Sequence, residues 1–298
     1  MHIDIFMMYF FLGFILVSPQ NIIRYFFIST HNMGPAELAF YGGIIALPWS
    51  IKPIYGVISD NTRHIVIRRF QIAFGYLLTG LCFSLLCFFT DVFACVGLTF
   101  FSSMFLAFSD VVQDSIMVAR SKGTNGVVQS ISWAFRSAGS LFGCIYGAVF
   151  TFHSNKFAFI SLICVVAAVV SFFVKTDTDT NIKSSSFCKD FCLYIYCKKI
   201  LLFSLVIFVY AYDPGDGSIV EYLLIQKFNA SPSLFALSDM VSYVSLMVAS
   251  VIFNAYLRDA NIFYIITCTN IIALFMFGFR NAFVCLLYTS DAADEVDR

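Results

Sequence analysis

Apolar windows long enough to cross a membrane recur along the whole chain, and they constrain its fold more than any other feature. We distinguish nine, at about residues 5–28, 36–59, 69–89, 92–119, 126–151, 157–174, 200–226, 233–257 and 261–284. A helix of about 20 residues spans a hydrocarbon core of about 30 Å, so each window predicts one membrane helix. With 60% hydrophobic and 12% charged residues, the chain is far too apolar for an average soluble protein. We therefore expect an all-α, multi-pass membrane protein.

The charges between the windows predict the orientation of the helices. Most basic loop residues follow even-numbered windows: Arg63, Arg68, Arg69, Arg120, Lys122, Lys175, Lys183, Lys189, Lys198, Lys199 and Arg258. The opposite loops hold only Lys156 and Lys227, with Arg24 near the end of the first window. By the positive-inside rule, the first set and the N-terminus face the cytosol. The first window lacks a basic leader and a small-residue cleavage site, so it is expected to remain as a helix.

One long polar stretch divides the windows into two groups. Residues 175–199 predict a cytosolic linker between a six-helix half, 1–174, and a partial second half of about three helices, 200–284. A faint repeat supports this division, because 35–60 and 232–259 both start at a proline and end at an acid. Parallel six-helix halves are the plan of major facilitator transporters. We expect about nine of twelve such helices here, in a C-terminally truncated chain.

The last residues, 285–298, depart from the apolar pattern. Four acids crowd a polar tail, and Cys285 to Glu295 resembles the translation of a transposon-type sequencing adapter. We interpret this tail as adapter read-through, so it is left out of fold reasoning. The alternative is a genuine acidic tail. On the first interpretation, the natural chain is expected to continue past Val284.

Lys52 is the most unusual residue of the second window. It lies in the mostly apolar run 47–60, where a cation is costly unless it is paired or lines a polar cavity. Pro48 and Pro53 flank it and are expected to kink the helix, because proline donates no backbone hydrogen bond.

Asp110 and Asp114 are the natural partners to consider for this lysine. They lie four residues apart and so share one helix face, and two intramembrane acids need counter-charges or a proton. The candidate counter-charges are Lys52 and Arg136, so we expect a charge network between the second, fourth and fifth windows. In an alternative interpretation, Asp114 and Arg120 form a structural salt bridge with the loop after the second window.

Arg136 precedes a pair of glycines, Gly139 and Gly143, at the G-x-x-x-G spacing that permits close helix packing. An arginine in the middle of such a helix could hold an anionic substrate group in two hydrogen bonds. Pairing with Asp110 explains it equally well.

The seventh window is interrupted by the polar, helix-breaking residues 213–217. Asp213 begins this break and Glu221 follows it by about one turn. Such residues at membrane depth are tolerated where they line a cavity, although an outer helix end would explain them too. Asp239 in the eighth window is a further candidate for a polar path.

Chemistry other than binding has little support in the sequence. We find no nucleophile and base set, no phosphate loop and no cluster of metal ligands, so we predict no enzyme activity, no cofactor and no metal site. The ten cysteines lie mostly in apolar runs and imply no disulfide framework. No nucleic-acid partner is expected; the expected partners are the lipid bilayer and a small molecule.

Several blocks of this sequence resemble the folate-biopterin transporters of the major facilitator superfamily. The most specific is the Leu-Pro-Trp-Ser-Ile-Lys-Pro run that begins at Leu47; the others are 33–37, 110–120, 129–136, 213–222 and 253–258. Two departures from the pattern are a loop, 61–69, without the expected glycines and proline, and Gln113 in place of an aliphatic residue.

The resemblance implies a transporter that carries folate- or biopterin-type pteridines by alternating access. It suggests that Lys52 and Arg136 bind a carboxylated substrate, and that Asp110 accepts from an amino-pyrimidine edge or exchanges a proton. The spacing from Gly56 to Asp60 is similar to the superfamily's gating motif. We therefore expect a cytosolic gate that contains Asp60, with further members Arg68, Arg69 and Arg120.

Two other functions stay open at this point. The protein could be an orphan member of the family that moves another small solute. It could also be a membrane scaffold or sensor that transports nothing, in which case the charge network would only hold the helices together.

Overall fold

The computed structural model describes residues 2–62, 66–123, 126–149, 155–175, 196–211 and 232–296. Within these ranges, the chain forms helices and short connections, and it contains no strand. In chain order the helices are α1 (Ile3–His31), α2 (Pro35–Ser50), α3 (Lys52–Thr62), α4 (Arg68–Leu86), α5 (Val92–Ser121), α6 (Val127–Val149), α7 (Asn155–Ser171), α8 (Lys198–Ala211), α9 (Pro232–Ile252) and α10 (Ile262–Val296), with a π-helical turn at Phe253–Leu257.

Five helical segments of the described chain are long and apolar enough to cross a membrane: Ile3–Ile28, Arg68–Leu86, Val92–Ser121, Leu234–Leu257 and Ile262–Phe279. The all-α, multi-pass class predicted from the apolar windows is therefore confirmed. Each of these segments corresponds to one predicted window.

The chain divides into two compact units, Met1–Val251 and Ile252–Arg298. In the first unit, a core of buried apolar side chains from α1, α4, α5 and α7 holds the helices together. In the second, α10 continues without a break as far as Val296 and so includes most of the polar tail. The adapter origin of residues 285–298 and the division into halves at 174 and 200 stay predictions.

α1 and α6 form the most extensive helix contact of the first unit. A Cβ added to Gly139 would lie 1.9 Å from the Phe10 carbonyl oxygen, and one added to Gly13 would lie 2.1 Å from the Arg136 carbonyl oxygen. A Cβ added to Gly143 would lie 2.8 Å from the Phe14 carbonyl oxygen, which is also too close. The two backbones touch because no side chain separates them, so the close packing predicted from the G-x-x-x-G spacing is confirmed. We call this contact the α1–α6 seam.

The second predicted window is broken at Ile51, as expected from its two prolines. α2 ends at Ser50 and α3 begins at Lys52. Pro48 and Pro53 cannot donate to the carbonyls four residues earlier, so the helical hydrogen-bond ladder fails on both sides of Ile51. The break places Lys52 at the first residue of a new helix.

α9 touches α1 and α6 through a much smaller contact. Its buried apolar part consists of Val17, Cys144 and Ala236. Beside it, the Asn21 amide donates to the Asp239 carboxylate over 3.1 Å, and the Cys144 thiol donates to the Ala236 carbonyl over 3.3 Å. We call this region the α9 contact.

Candidate functional site

A buried carboxylate shared by two cations lies at the centre of the first unit. Asp110 of α5 has no exposed surface. One of its oxygens receives the Lys52 ammonium of α3, and the other receives the Arg136 guanidinium of α6 over 3.2 Å. The structure therefore brings together Lys52, Asp110 and Arg136, which the sequence predicted to meet. We call these three residues the charge triad.

The triad carries one more positive than negative formal charge. The Lys52 side chain is 32% exposed and that of Arg136 is 14% exposed, whereas Asp110 is fully covered. Each cation also lies near an indole ring: the Lys52 ammonium is 4.6 Å from the ring centre of Trp49, and the Arg136 guanidinium carbon is 4.9 Å from that of Trp133. Aromatic faces attract cations, so both side chains are held in place by two kinds of contact. The accessible part of the triad is cationic.

Asp114 lies one turn further along α5 and has a different environment. It accepts a hydrogen bond of 2.5 Å from the Tyr9 hydroxyl of α1. Within the described ranges, no lysine, arginine or histidine forms an ion pair with it. Tyr9 itself is fully buried. The site therefore contains one acid held by cations and one held by a hydroxyl group.

Gln113, the departure noted between these two acids, has a structural partner. Its side-chain amide is fully buried and donates to the Tyr76 hydroxyl of α4 over 2.8 Å. An aliphatic residue here would leave that hydroxyl without this donor. The substitution thus adds a polar tie between α4 and α5 behind the charge triad.

Two of the residues predicted for the gate form an ion pair with each other, and the others have different neighbours. Arg68 reaches Asp60 over 3.1 Å, and the Asp60 side chain is 69% exposed. Arg69 instead stacks its guanidinium group 5.3 Å from the ring centre of Phe70. A Cβ on Gly56 would meet only the Val111 side chain, at 3.8 Å. An Asp60–Arg68 contact exists, while its role as a latch stays a prediction.

Arg120 has a partner that the sequence did not indicate. Its guanidinium group makes two hydrogen bonds to Asp4, of 2.8 and 2.7 Å, and one to the Lys175 carbonyl. Among the described residues, which leave out 63–65 of the loop, Asp114 and Arg120 bind Tyr9 and Asp4 rather than the loop. Six residues along a helix correspond to about 240° of rotation, so Asp114 and Arg120 face different neighbours.

A cavity of about 560 Å³ lies between α1, α2 and α5, next to the triad. Its walls are mostly apolar, with polar groups from Gln20, Arg24, Thr99, Ser102 and Ser103. Trp49 lines this cavity as well as contacting Lys52, and its indole N–H donates to the Ser103 hydroxyl over 2.9 Å. Trp49 is thus the residue that the cavity and the charge triad share.

Some site residues were missed by sequence reasoning, and others lie outside the described ranges. Tyr9 and the Trp49–Ser103 pair were missed, because a chain with 37 phenylalanines and 15 tyrosines gives single aromatic residues no distinguishing signal. The sequence held one hint of a polar role for Tyr9, because this tyrosine lies near Asp4 at the start of an apolar window. Asp213 and Glu221 lie outside the described residues, and their place in a polar path stays a prediction.

The described part of the chain contains no candidate metal site and no disulfide. It holds no group of three or more His, Cys, Asp or Glu side chains that could bind a metal ion. The described cysteines are free thiols, and Cys82, Cys95, Cys144 and Cys164 are buried.

Comparison with known proteins points to a family of membrane transporters. The chain is 24% identical over 253 residues to a folate-biopterin transporter of a Synechocystis species, covering 79% of this chain and 50% of that protein. It is 24% identical over 253 residues to folate transporter 1 of Plasmodium falciparum, covering 76% of this chain and 48% of that protein. The chain thus spans about half the length of the curated relatives it matches.

No solved structure matches the chain significantly. The profile of the BT1 family matches residues 17–285, which include the charge triad, most of the cavity lining and the α9 contact. Because this match covers most of the sequence, the chain belongs to the BT1 family.

Proposed function

We propose that the protein is a transporter, or the part of one, that moves folate- or biopterin-type pteridines across a membrane by alternating access. The observation that carries the proposal is the charge triad, in which two cations share one buried carboxylate. Charged residues inside a membrane protein are costly, so they are usually retained for a substrate or ion path. The names of both relatives support pteridines as the substrate class.

In this proposal, the carboxylate of the substrate supplies the negative charge that the triad lacks. Lys52 is the more exposed cation, so it would turn from Asp110 toward the substrate, while Asp110 would keep Arg136 neutralised. Charge-assisted hydrogen bonds of this kind are roughly twice as strong as neutral ones.

Asp114 offers a way to couple substrate entry to a proton. It lies beside the triad and has a hydroxyl rather than a cation as its partner. A proton taken up there would remove one negative charge and so strengthen the attraction for an anionic substrate. This coupling is part of the proposal.

Alternating access needs one contact that persists and another that opens. The α1–α6 seam, where backbones touch, suits the first role. The α9 contact buries few side chains and includes an amide–carboxylate hydrogen bond, so it suits the role of the contact that opens. The exposed Asp60–Arg68 pair lies in the predicted cytosolic gate and would open in the opposite phase.

Uptake of labelled folate and biopterin by auxotrophic cells that express the native gene tests the proposal. We expect Lys52→Gln to lower folate uptake by about ten- to hundredfold, the loss of one charge-assisted hydrogen bond. The Arg136–Asp110 pair remains in this variant, so the fold should persist. Lys122→Gln, at an exposed lysine just beyond α5, is the matched control.

Three other outcomes would argue against this function. Uptake of neither compound, with uptake of a different solute, would identify an orphan transporter. Normal folate uptake by the Lys52→Gln variant would show that the triad is structural. No uptake of any solute by well-folded protein would favour a scaffold or sensor.

A further inference from the structure

We propose that the cavity between α1, α2 and α5 is the binding site of a planar heteroaromatic ring, and that the charge triad binds the anionic part of the same molecule. This inference rests on the proposed function and assigns the two halves of the substrate to two adjacent places. Trp49 joins them, because it lines the cavity and also contacts Lys52.

The size and composition of the cavity suit a small aromatic ligand. Its volume of about 560 Å³ lies within the range of about 300–1,000 Å³ that is usual for small-molecule sites. Apolar side chains from three helices form most of the wall, and the few polar groups are grouped on α1 and α5. An apolar site with a few placed polar groups orients a flat, partly polar ring.

Two hydroxyl groups of α5, those of Thr99 and Ser102, present acceptors rather than donors to this space. The Thr99 hydroxyl donates to the Cys95 carbonyl over 2.6 Å, and the Ser102 hydroxyl donates to the Thr99 carbonyl over 2.8 Å. Because each hydroxyl proton is already used, the free lone pairs can only accept. Both residues line the cavity and are buried. A ligand that matches them must carry N–H or amino donors, as a pteridine does.

Trp49 is held in a way that suits stacking. Its indole N–H is fixed by the Ser103 hydroxyl at 2.9 Å, so the ring does not need to be ordered when a ligand arrives. Offset stacking between aromatic rings is favourable beyond the apolar area that it buries. A ring bound beside Trp49 would bring its substituents close to Lys52.

A hydrocarbon chain is a poorer match for the same space. It would fill the apolar part but offer no donor to the free lone pairs of Thr99 and Ser102. It would also bring no anionic group to the accessible cations of the triad. The observations therefore favour an aromatic ring with an anionic extension over a lipid tail.

The α2 wall of the cavity offers a direct way to fill it. Gly42 and Gly43 line the cavity, and a Cβ at either position meets no atom within 4 Å. A leucine at Gly43 can therefore enter the cavity without a backbone clash. Gly97 of α5 also has no atom within 4 Å of its Cβ but does not line the cavity, so Gly97→Leu is the matched control.

Binding can be followed by the fluorescence of Trp49, since the chain has only two tryptophans. In the Trp133→Phe background, the purified chain in lipid nanodiscs is titrated with biopterin, with folate and with p-aminobenzoylglutamate. Biopterin has the ring without the carboxylates, and p-aminobenzoylglutamate has the carboxylates without the pteridine. We expect biopterin and folate to quench Trp49.

Gly43→Leu should weaken the binding of biopterin and folate by at least about tenfold, because it removes the space for stacking. Gly97→Leu should bind both as the parent does. Lys52→Gln should weaken folate more than biopterin, because only folate carries carboxylates. Circular dichroism and a single gel-filtration peak confirm that each variant is folded.

Two results would overturn the assignment of the ring. If Gly43→Leu binds biopterin as tightly as Gly97→Leu, the ring lies elsewhere, and the proposed function survives when uptake is normal. If Gly43→Leu loses co-purified lipid while biopterin binding is unchanged, the cavity is a lipid site. A parent protein that neither binds nor transports any pteridine would instead remove the proposed function itself.

Discussion

The α1–α6 seam and the α9 contact show two different ways of joining helices in one molecule. In the seam, Gly13, Gly139 and Gly143 bring backbone against backbone. A side-chain atom added at any of them would clash with backbone atoms, which cannot move aside as a flexible side chain can. In the described part of the α9 contact, three buried side chains, an amide–carboxylate hydrogen bond and a thiol–carbonyl hydrogen bond join the helices. Packing of small residues gives close, fixed association of membrane helices. The difference suggests where the molecule holds its shape and where it can open.

The charge triad depends on the seam. The Arg136 carbonyl oxygen is the atom closest to a Cβ placed on Gly13, so the backbone that carries Arg136 is fixed by its contact with α1. Asp110 then links this arginine to Lys52 on the far side of the proline break. The charge triad is therefore anchored to the α1–α6 seam, the closer of the two helix contacts.

The largest effect is expected from Asp110→Ala. It leaves two cations without their shared carboxylate, and breaking a buried ion pair from one side costs about 3–5 kcal/mol. Thermal unfolding in detergent measures the loss. The double variant Asp110→Ala with Lys52→Ala removes part of the excess charge, so it should recover part of the stability; no recovery would show that the triad does not act as a unit.

The second-largest loss of stability is expected from Gly139→Ala, which tests the α1–α6 seam directly. The new Cβ would lie 1.9 Å from the Phe10 carbonyl oxygen, so α1 and α6 must separate. Overpacking of this kind costs about 1–3 kcal/mol, and more where the backbone cannot move. Gly97→Ala is the control, where an alanine in an open helical position is neutral or stabilising by about 1 kcal/mol. Equal unfolding temperatures for the two variants would contradict the seam.

A smaller effect is expected at the α9 contact. Asn21→Ala removes the donor to Asp239, and a partly buried hydrogen bond to a charged group contributes about 1.5–3 kcal/mol at most. If this contact opens during transport, the loss should appear mainly as faster reaction of the Cys144 thiol with a membrane-permeant maleimide. Mass spectrometry of the labelled peptide gives the rate. An unchanged rate, with Cys144 still protected, would mean that the α9 contact stays closed.

The smallest effect on stability is expected from Asp60→Asn. The Asp60 side chain is largely exposed, and surface ion pairs contribute about 0–1 kcal/mol. Its unfolding temperature should stay close to that of the parent. Uptake by the native gene is the sharper measurement, because a latch would change the transport rate without changing stability; an unchanged rate would remove Asp60 from the gate.

The sequence predicted the charge triad because buried charges in a membrane have few possible partners. Lys52, Asp110 and Arg136 are all in apolar windows, so their mutual pairing follows from the cost of leaving any one alone. Pro48 and Pro53 likewise predicted a kink, since a missing N–H acts locally, and the structure shows a break at Ile51. Gly139 and Gly143 predicted the seam through their spacing.

Partners that depend on packing between distant segments were not predictable in the same way. Tyr9 meets Asp114 across 105 positions, and Arg120 meets Asp4 across 116. The packing of the whole helix bundle determines which turn of α1 faces which turn of α5. No local sequence pattern predicts this register. The cavity beside Trp49 has the same origin, because it is a space between three helices rather than a property of any one.

The prolines have a further consequence for recognition of a ligand. Pro19, Pro48 and Pro53 cannot donate to the carbonyls of Ile15, Ile44 and Trp49, four residues before each. Ile15 and Trp49 are among the residues that line the cavity, so carbonyl oxygens without their usual helical donor lie beside an otherwise apolar wall. Alanine scanning would not detect these acceptors, because no side chain carries them. Replacing the prolines, which restores the missing N–H groups, is the substitution that would remove them.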